Sequence, residues 1–460
     1  MLDFSQVCYR GPLARILVSL SLISLLSGAT VVSAPAQGGA GAPIKSLDDC
    51  LRLALDDSPR LQISDERRDI ASQGIKSAYG AFLPGLGLSR NWNNFQRKDF
   101  NMPVAGETLV QERATSKSWS ARVDLNVFSG FSKFSQVKSA KNDLRAAEAT
   151  HGYTRELVAE VVITAYFNLL RYKELLQVAV ETRDQAAKEL ERTETYFRLG
   201  SSAKSDVLQQ RVRLENTKLD LVIADNNVKM AFADLAFAMN QPLAETFTVD
   251  DSELSTDYSV NELDALYKTA LETRLDLLSS GYSAEARRKD VGTARAGLYP
   301  SVSAFGNYSR TDNSSDERWS LTQSSSANSF GYAISWNVFD RMQTLTNVSR
   351  AKANARIAKY ELEQSRMNVQ VEIRQLHNSQ LEARERANVS RETILQSAEE
   401  LRLAQERFRV GAGTTLDVIV AQVNLASSRA QEVQAKCDFL IAKAKMNRAV
   451  GRLNPGLDGR

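Results

Sequence analysis

Histidine is nearly missing from this chain of 460 residues; only His151 and His377 occur. There is no His-x-x-x-His, no Cys-x-x-Cys and no acidic calcium loop, so a resident metal has no ligand set to draw on. No Walker loop is present, so energy for any transport must come from a partner. Neither a Gly-x-Ser-x-Gly turn nor a Ser/His/Asp set can be found, and we expect neither an enzyme nor a bound cofactor. The net charge is +3 on 58 basic and 55 acidic side chains, which leaves no field for nucleic acid. Beyond the N-terminal residues no apolar run reaches the ~20 residues of a membrane-spanning helix.

Arg10 and Arg15 precede an apolar run at 16–26, and Ala34-Pro35-Ala36 offers a small-x-small cleavage site. These features predict a secretory signal peptide over 1–36 and an exported chain starting near Gln37. Of the three cysteines, Cys8 leaves with that peptide. Cys50 and Cys437 remain; an oxidising compartment permits a bridge between them, and unpaired core residues are the other reading.

Proline is also scarce, and the segment 132–197 has none, with Gly152 its one glycine. Val158, Val162, Ala165, Leu169, Tyr172 and Leu176 hold the 4-3 spacing of a coiled-coil seam there. The segment ends in Phe197-Arg198-Leu199-Gly200-Ser201, followed by Asp206-Val207. This reads as a turn between two long helices, and it occurs twice: Phe408-Arg409-Val410-Gly411-Ala412, then Asp417-Val418, returns 211 positions later. Upstream, Ala78 to Pro84 corresponds to Ala294 to Pro300 at an offset of 216. A duplication with one connection five residues longer in the first copy, between Pro84 and Ser118, accounts for both offsets. Repeat 1 is expected over 37–258 and repeat 2 over 259–460. Their long helices are placed at about 132–239 and 343–450.

Between each Pro and its long helix the period changes from 3.6 to 2. Trp119, Ala121, Val123, Leu125 and Val127 alternate with polar residues, as do Phe330, Tyr332, Ile334, Trp336 and Val338. Weaker strands precede them, with Leu86, Leu88 and Trp92 on one face, and Val302, Ala304 and Tyr308 on the other copy's. Each repeat therefore carries a β-hairpin, about 85–128 and 301–339, with polar loops expected at 94–117 and 310–329. Trp92, Trp119, Tyr308, Phe330 and Trp336 sit on the apolar faces like the aromatic girdle of a membrane barrel. Four strands cannot close a barrel, and open edges in lipid leave backbone groups unpaired at several kcal/mol each. The shortage must be met by further copies: two give eight strands and a filled barrel, three give twelve and a passage.

The duplicated order of helix, Leu/Tyr-Pro, hairpin, long helix, Gly turn, Asp-Val and long helix resembles the TolC family of outer-membrane efflux proteins. Asn126-Val127-Phe128-Ser129-Gly130 and Asn337-Val338-Phe339-Asp340 are similar to that family's strand-to-helix junction. The resemblance implies a mainly α fold with membrane β: a homotrimeric channel-tunnel whose twelve-stranded barrel sits in outer-membrane lipid and whose helices extend into the periplasm. It implies docking of Leu199, Gly200, Ser201, Val410, Gly411 and Ala412 to a periplasmic adaptor, and through it to an inner-membrane pump. Asp206 and Asp417 match the family's Asp past each turn, as gate residues or simply as first-turn carboxylates. Val420 and Gly413 depart from members that carry a second Asp and an Arg there, so the closed-gate bonding of those members does not transfer. Efflux of small molecules is the first function implied, and type I protein secretion the second. A periplasmic coiled-coil scaffold that conducts nothing is the reading from outside this class.

Overall fold

A computed structural model describes residues 44–98, 111–242, 247–250, 258–312 and 324–453. The signal peptide, the acidic linker after Asp250, both hairpin ends and the C-terminal tail lie outside these residues.

Repeat 1 opens with α1 (Leu47–Asp57) and α2 (Pro59–Gly80). Ser46 caps α1 in a reciprocal box: its hydroxyl accepts from the Asp49 N–H, and its own N–H donates to the Asp49 carboxylate. Pro59 starts α2 at a position where its missing N–H costs nothing. Then come β2 (Gly85–Lys98) and β3 (Gln111–Ser129), followed by α3 (Ser132–Arg198) and α4 (Lys204–Ala238). Repeat 2 gives α5 (Leu263–Thr273), α6 (Leu275–Arg295), β5 (Ser301–Asp312), β6 (Ser324–Ser335), α7 (Gln343–Arg409) and α8 (Thr415–Ala449). A two-residue parallel pair, β1 (Ile44–Lys45) with β4 (Thr248–Val249), ties the start of repeat 1 to its end.

The duplication is written into the backbone. Both α3 and α7 have 67 residues, and both α4 and α8 have 35. Every described residue with positive φ has a counterpart 211 positions away: Gly130 with Arg341, Phe131 with Met342, Gly200 with Gly411, and Asn240 with Gly451. At Gly200 and Gly411 the chain reverses through a Schellman cap. The Gly200 N–H donates to Phe197 O and the Ser201 N–H to Tyr196 O; Gly411 and Ala412 do the same to Phe408 and Arg407.

The four long strands form one antiparallel sheet in the order β2-β3-β5-β6. They run further than the apolar alternation suggested. β2 continues to Lys98 and β3 begins at Gln111, because a backbone ladder needs no apolar face. At 14 residues β2 outruns β5, which has 12. At the helix end one expectation fails: β6 stops at Ser335, short of Trp336 and Val338. The equivalent residues of β3, Leu125 to Ser129, pair with β5 and not with their own hairpin partner. No described strand offers that service to β6.

The helices pack beside one another. α3 lies against α2 and α4 of its own repeat and against α6 and α8 of the second; α7 packs on α6 and α8. Val158, Val162, Leu169 and Leu235 fall in the largest apolar cluster, with Tyr166 and Leu170. Val418 and Leu425 hold the tip of the second hairpin together with Leu401. Cys50 and Cys437 are both free and buried, and burial pushes each thiol up to about 11. Among the described residues no helix is long and apolar enough to cross a membrane.

Candidate functional site

The register gathers most of the apolar strand positions on one face of the sheet. Leu88 lies opposite Ala121, Ala121 opposite Tyr308, Leu125 opposite Ala304, and Ala304 opposite Tyr332. Paired residues share a face, so Leu86, Leu88, Val123, Val302 and Ile334 stand together and most are exposed. The other face carries Ser89, Asn91, Ser120, Ser303, Asn307 and Ser309, interrupted by Phe305. The Ser89 and Ser120 hydroxyls meet across it at 2.8 Å.

Four of the five selected aromatics fall on a diagonal. Trp92 is opposite Lys117, two residues from Trp119; Trp119 is opposite Arg310, two from Tyr308; Tyr308 is opposite Asn328, two from Phe330. Each ring thus lies two residues nearer the helices than the last. In a barrel whose strands tilt by about 35–45°, a level line crosses roughly one to one and a half residues per strand. Only even steps keep one face, so a step of two is the nearest match. Trp119 and Tyr308 stack with centroids 5.1 Å apart. Lys117 and Arg310 lie just beyond the line, and Arg90 one same-face step inside it.

Trp336 falls elsewhere, at the helix end of the sheet, where its indole N–H donates to Leu298 O at 3.3 Å. There it belongs to a second aromatic row that sequence reasoning missed: Phe128, Tyr299 and Phe339. Phe128 and Phe131 stack edge to face, as do Phe131 and Tyr299. A bulge at Val127 turns Phe128 onto the apolar face opposite Val302. A signal was present, since Trp119–Phe128, Tyr299–Tyr308 and Phe330–Phe339 share one spacing of nine. Nine residues at about 3.3 Å make ~30 Å along the strand, or a little over 20 Å once tilted, near the ~25 Å apolar band of a membrane barrel.

At the far end of the helices the two turns sit side by side. Tyr196 and Phe408 meet at 6.1 Å between centroids, and a cleft of about 480 Å³ between the turns is lined by Ser202, Asp206, Gly411 and Thr414 among others. Leu199 and Val410 project, 75% and 66% exposed; Gly200, Ser201, Gly411 and Ala412 are also exposed. A groove of about 820 Å³ on the second hairpin is lined by Leu395, Leu403, Arg407, Leu416 and Val420.

Asp206 and Asp417 are both spoken for locally. The Asp417 carboxylate accepts from the Thr414 N–H and hydroxyl, each at 2.8 Å, and the Asp417 N–H donates back to Thr414 Oγ1. Those bonds hold the carboxyl below its usual range. Asp206 accepts from the Ala203 N–H at 3.0 Å and the Ser202 hydroxyl at 2.9 Å. Both therefore serve as first-turn caps.

A sheet with one apolar and one polar face, leading into helices too charged for lipid, defines a membrane duct wall with aqueous legs. The chain belongs to the outer membrane efflux protein family, whose family model matches residues 50–241 and 266–452. Its members are channel proteins rather than enzymes, and the place of this one is the outer membrane, with periplasmic helices. The outer membrane protein TolC of Vibrio cholerae is 22% identical over 89% of this chain and 91% of its own length. The alkaline protease secretion protein AprF of Pseudomonas aeruginosa is 20% identical, over 88% and 84%. The crystal structure of the outer membrane protein VceC from Vibrio cholerae superposes with a TM-score of 0.75 at 19% identity, covering 88% of this chain and 96% of that one. That likeness establishes the channel-tunnel fold of one chain.

Proposed function

We propose that this protein is the passive outer-membrane exit duct of a tripartite efflux system, carrying small molecules received from an inner-membrane pump through a periplasmic adaptor. The observation that carries the reading is the sheet: four strands, an apolar face between two aromatic rows, and open edges at β2 and β6. The aromatic rows are read as girdles at the two lipid boundaries. Three copies supply twelve strands, enough for a barrel with a polar lumen. A ring of this kind is a head-to-tail assembly that closes on itself. The exposed tips, Leu199-Gly200-Ser201 and Val410-Gly411-Ala412, are the surface offered to the adaptor. Three copies of Asp206 and Asp417 would crowd the tunnel entrance and favour cations there.

The similarity to AprF favours one further reading, a duct for a secreted protein. Conductance in a planar bilayer tests the duct itself: current steps are expected, and a protein that gives none in detergent-reconstituted form is a scaffold. Deletion separates the two cargoes, by loss of drug tolerance or loss of a secreted protein. Asp417→Asn is expected to weaken cation selectivity, and unchanged reversal potentials in a salt gradient would remove Asp417 from the gate.

A further inference from the structure

We infer that the first turns of α3 and α7 form a cationic collar that holds the anionic phospholipid headgroups of the periplasmic leaflet. The inference rests on reading the second aromatic row as the lipid boundary on that side, and adds what lies below it. Four stretches meet at that row or lead away from it: residues 70–84, 132–145, 291–300 and 340–359. Together they carry eleven basic side chains and two acidic ones, in a chain whose net charge is only +3. Both acids are occupied: Asp143 lies 3.8 Å from Arg287, and Asp340 accepts from the Thr344 N–H at 2.7 Å. Among the described residues no carboxylate pairs with Lys138, Arg295, Arg350, Lys352 or Arg356. Lys141 and Arg145 meet only rings, those of Tyr79 and Tyr282. The collar therefore holds a surplus of cations that the chain itself does not neutralise.

Helix formation does not ask for these charges. A helix begins at its positive end and favours a carboxylate there. α1, α4, α5, α6 and α8 each have an aspartate in the first turn. α3 and α7, the two that start at the membrane end, have none. On α3 the exposed positions form one stripe at helical spacing: Phe131 and Phe134, both 58% exposed, then Lys138, Lys141 and Arg145. Phe131 stacks edge to face on Phe128, which lies on the apolar face of the sheet, so the stripe continues the lipid-facing side. Repeat 2 replays it 211 positions on, with Met342 and Leu345, then Lys352 and Arg356, all exposed. Side chains lean toward a helix N-terminus, which here is the membrane end. Lys138 and Lys141 lie about 10 and 15 Å along the helix from Phe131, and that lean carries their ammonium groups back toward the headgroup layer. Rings followed by exposed cations mark a membrane interface. The phosphodiester of an anionic lipid is the group that this order brings within reach.

The test uses the full-length protein with Trp336 as its one tryptophan, in phosphatidylcholine bilayers that contain either brominated phosphatidylglycerol or brominated phosphatidylcholine. Trp336 stands in the second aromatic row, next to the collar. At equal mole fraction the anionic lipid should quench it several-fold more strongly, since each engaged cation favours that lipid by about fivefold. High salt should erase the difference. Lys138→Gln, Lys141→Gln, Lys352→Gln and Arg356→Gln together should bring the two lipids level. The same neutralisation at Lys188, Lys204, Lys218 and Lys229, far from the strands, should not. Equal quenching before any charge is removed overturns the collar and spares the barrel; no quenching by either lipid overturns the girdle reading and the collar with it. Should the single-tryptophan protein fail to insert, native mass spectrometry of the unaltered chain decides. Phosphatidylglycerol retained there and lost from the four-site variant supports the collar, and equal retention by both overturns it. Binding to purified peptidoglycan that the four-site variant loses, with no preference among lipids, would assign these cations to the cell-wall polymer instead.

Discussion

At equivalent positions the two repeats make opposite choices. Repeat 2 buries Arg274 and Arg448 around Glu372: Arg274 pairs with Glu372 and Asp276 at 2.7 Å each and donates to Ala449 O, and Arg448 reaches Glu372 at 2.5 Å. Repeat 1 has Ser58, Val161 and Phe237 there, bordering a cleft of about 310 Å³. The backbones are alike, so the fold does not demand either chemistry. The neighbours do. Arg448 meets neighbours on its own chain, and its charges are partnered as that chain folds. Phe237 instead stands 85% exposed. An exposed ring is carried at little cost, whereas an unpaired buried charge costs several kcal/mol.

The hardest way to break this contrast is to exchange its members. Arg448→Ala leaves Glu160 and Glu372 short of a partner and is expected to destabilise the folded chain by about 3–5 kcal/mol, read by thermal unfolding in detergent. Phe237→Ala, exposed in one chain, is expected to cost no more than ~0.5 kcal/mol there. Equal costs in the dissociated chain would erase the distinction. Glu156 comes next, since its counterpart is Met367. Burial pushes its carboxyl up to about 7, opposed by Arg448 and Arg274 and reinforced by Asp276. An acid raised in the folded state contributes fully below its unfolded value of about 4.3, and that contribution is lost as pH climbs to about 7. Stability should fall by roughly 2–3 kcal/mol across that window. Glu156→Gln, or the repeat 2 residue in Glu156→Met, should flatten the profile; a slope that survives both would assign it to other groups.

Much of this was legible beforehand, and the reason is periodicity. The offsets, the glycine turns and the alternating strands are local patterns, and a duplication displays each of them twice. What stayed hidden was either long-range or masked by substitution. Arg274, Glu372 and Arg448 are far apart in sequence, so no spacing announces their meeting. Asn240 and Gly451 close their helices identically although only one is glycine. Trp336 continues the strand alternation, yet no described strand pairs with it. The roles of Asp206 and Asp417 as caps were visible as one of two readings, and the hydrogen bonds fill in the local half.

The turns should respond alike where the backbone is shared. Gly200 and Gly411 have φ of 80° and 75°, with nothing that an added Cβ would strike. Ala at either position is therefore expected to cost only the left-handed penalty, about 1–2 kcal/mol, and the same at both. Unequal losses would mean that one turn carries a contact the other lacks.

The smallest effect isolates a capping hydroxyl that one turn has and the other lacks. Thr414 caps α8 reciprocally with Asp417, whereas α4 has Ala203 at that position and only half the box. Thr414→Ala should therefore cost about 1 kcal/mol and let Asp417 titrate nearer the usual carboxylate range. The folded carboxyl lies below its unfolded value of about 3.9, so its stabilising share is present above that pH and is lost as pH falls through the folded value. Thr414→Ala should shrink that acid-side loss. The converse change, Ala203→Thr, should complete the box on α4 and recover up to a similar amount, because the Ala203 N–H already donates to Asp206 and the Asp206 N–H, which now donates to the Ala203 carbonyl at 3.1 Å, would gain a side-chain acceptor. If Ala203→Thr gains nothing, the Ala203 carbonyl that accepts from the Asp206 N–H and the Ser202 hydroxyl that donates to its carboxylate already replace the threonine, and the two turns are equivalent in energy as well as in shape.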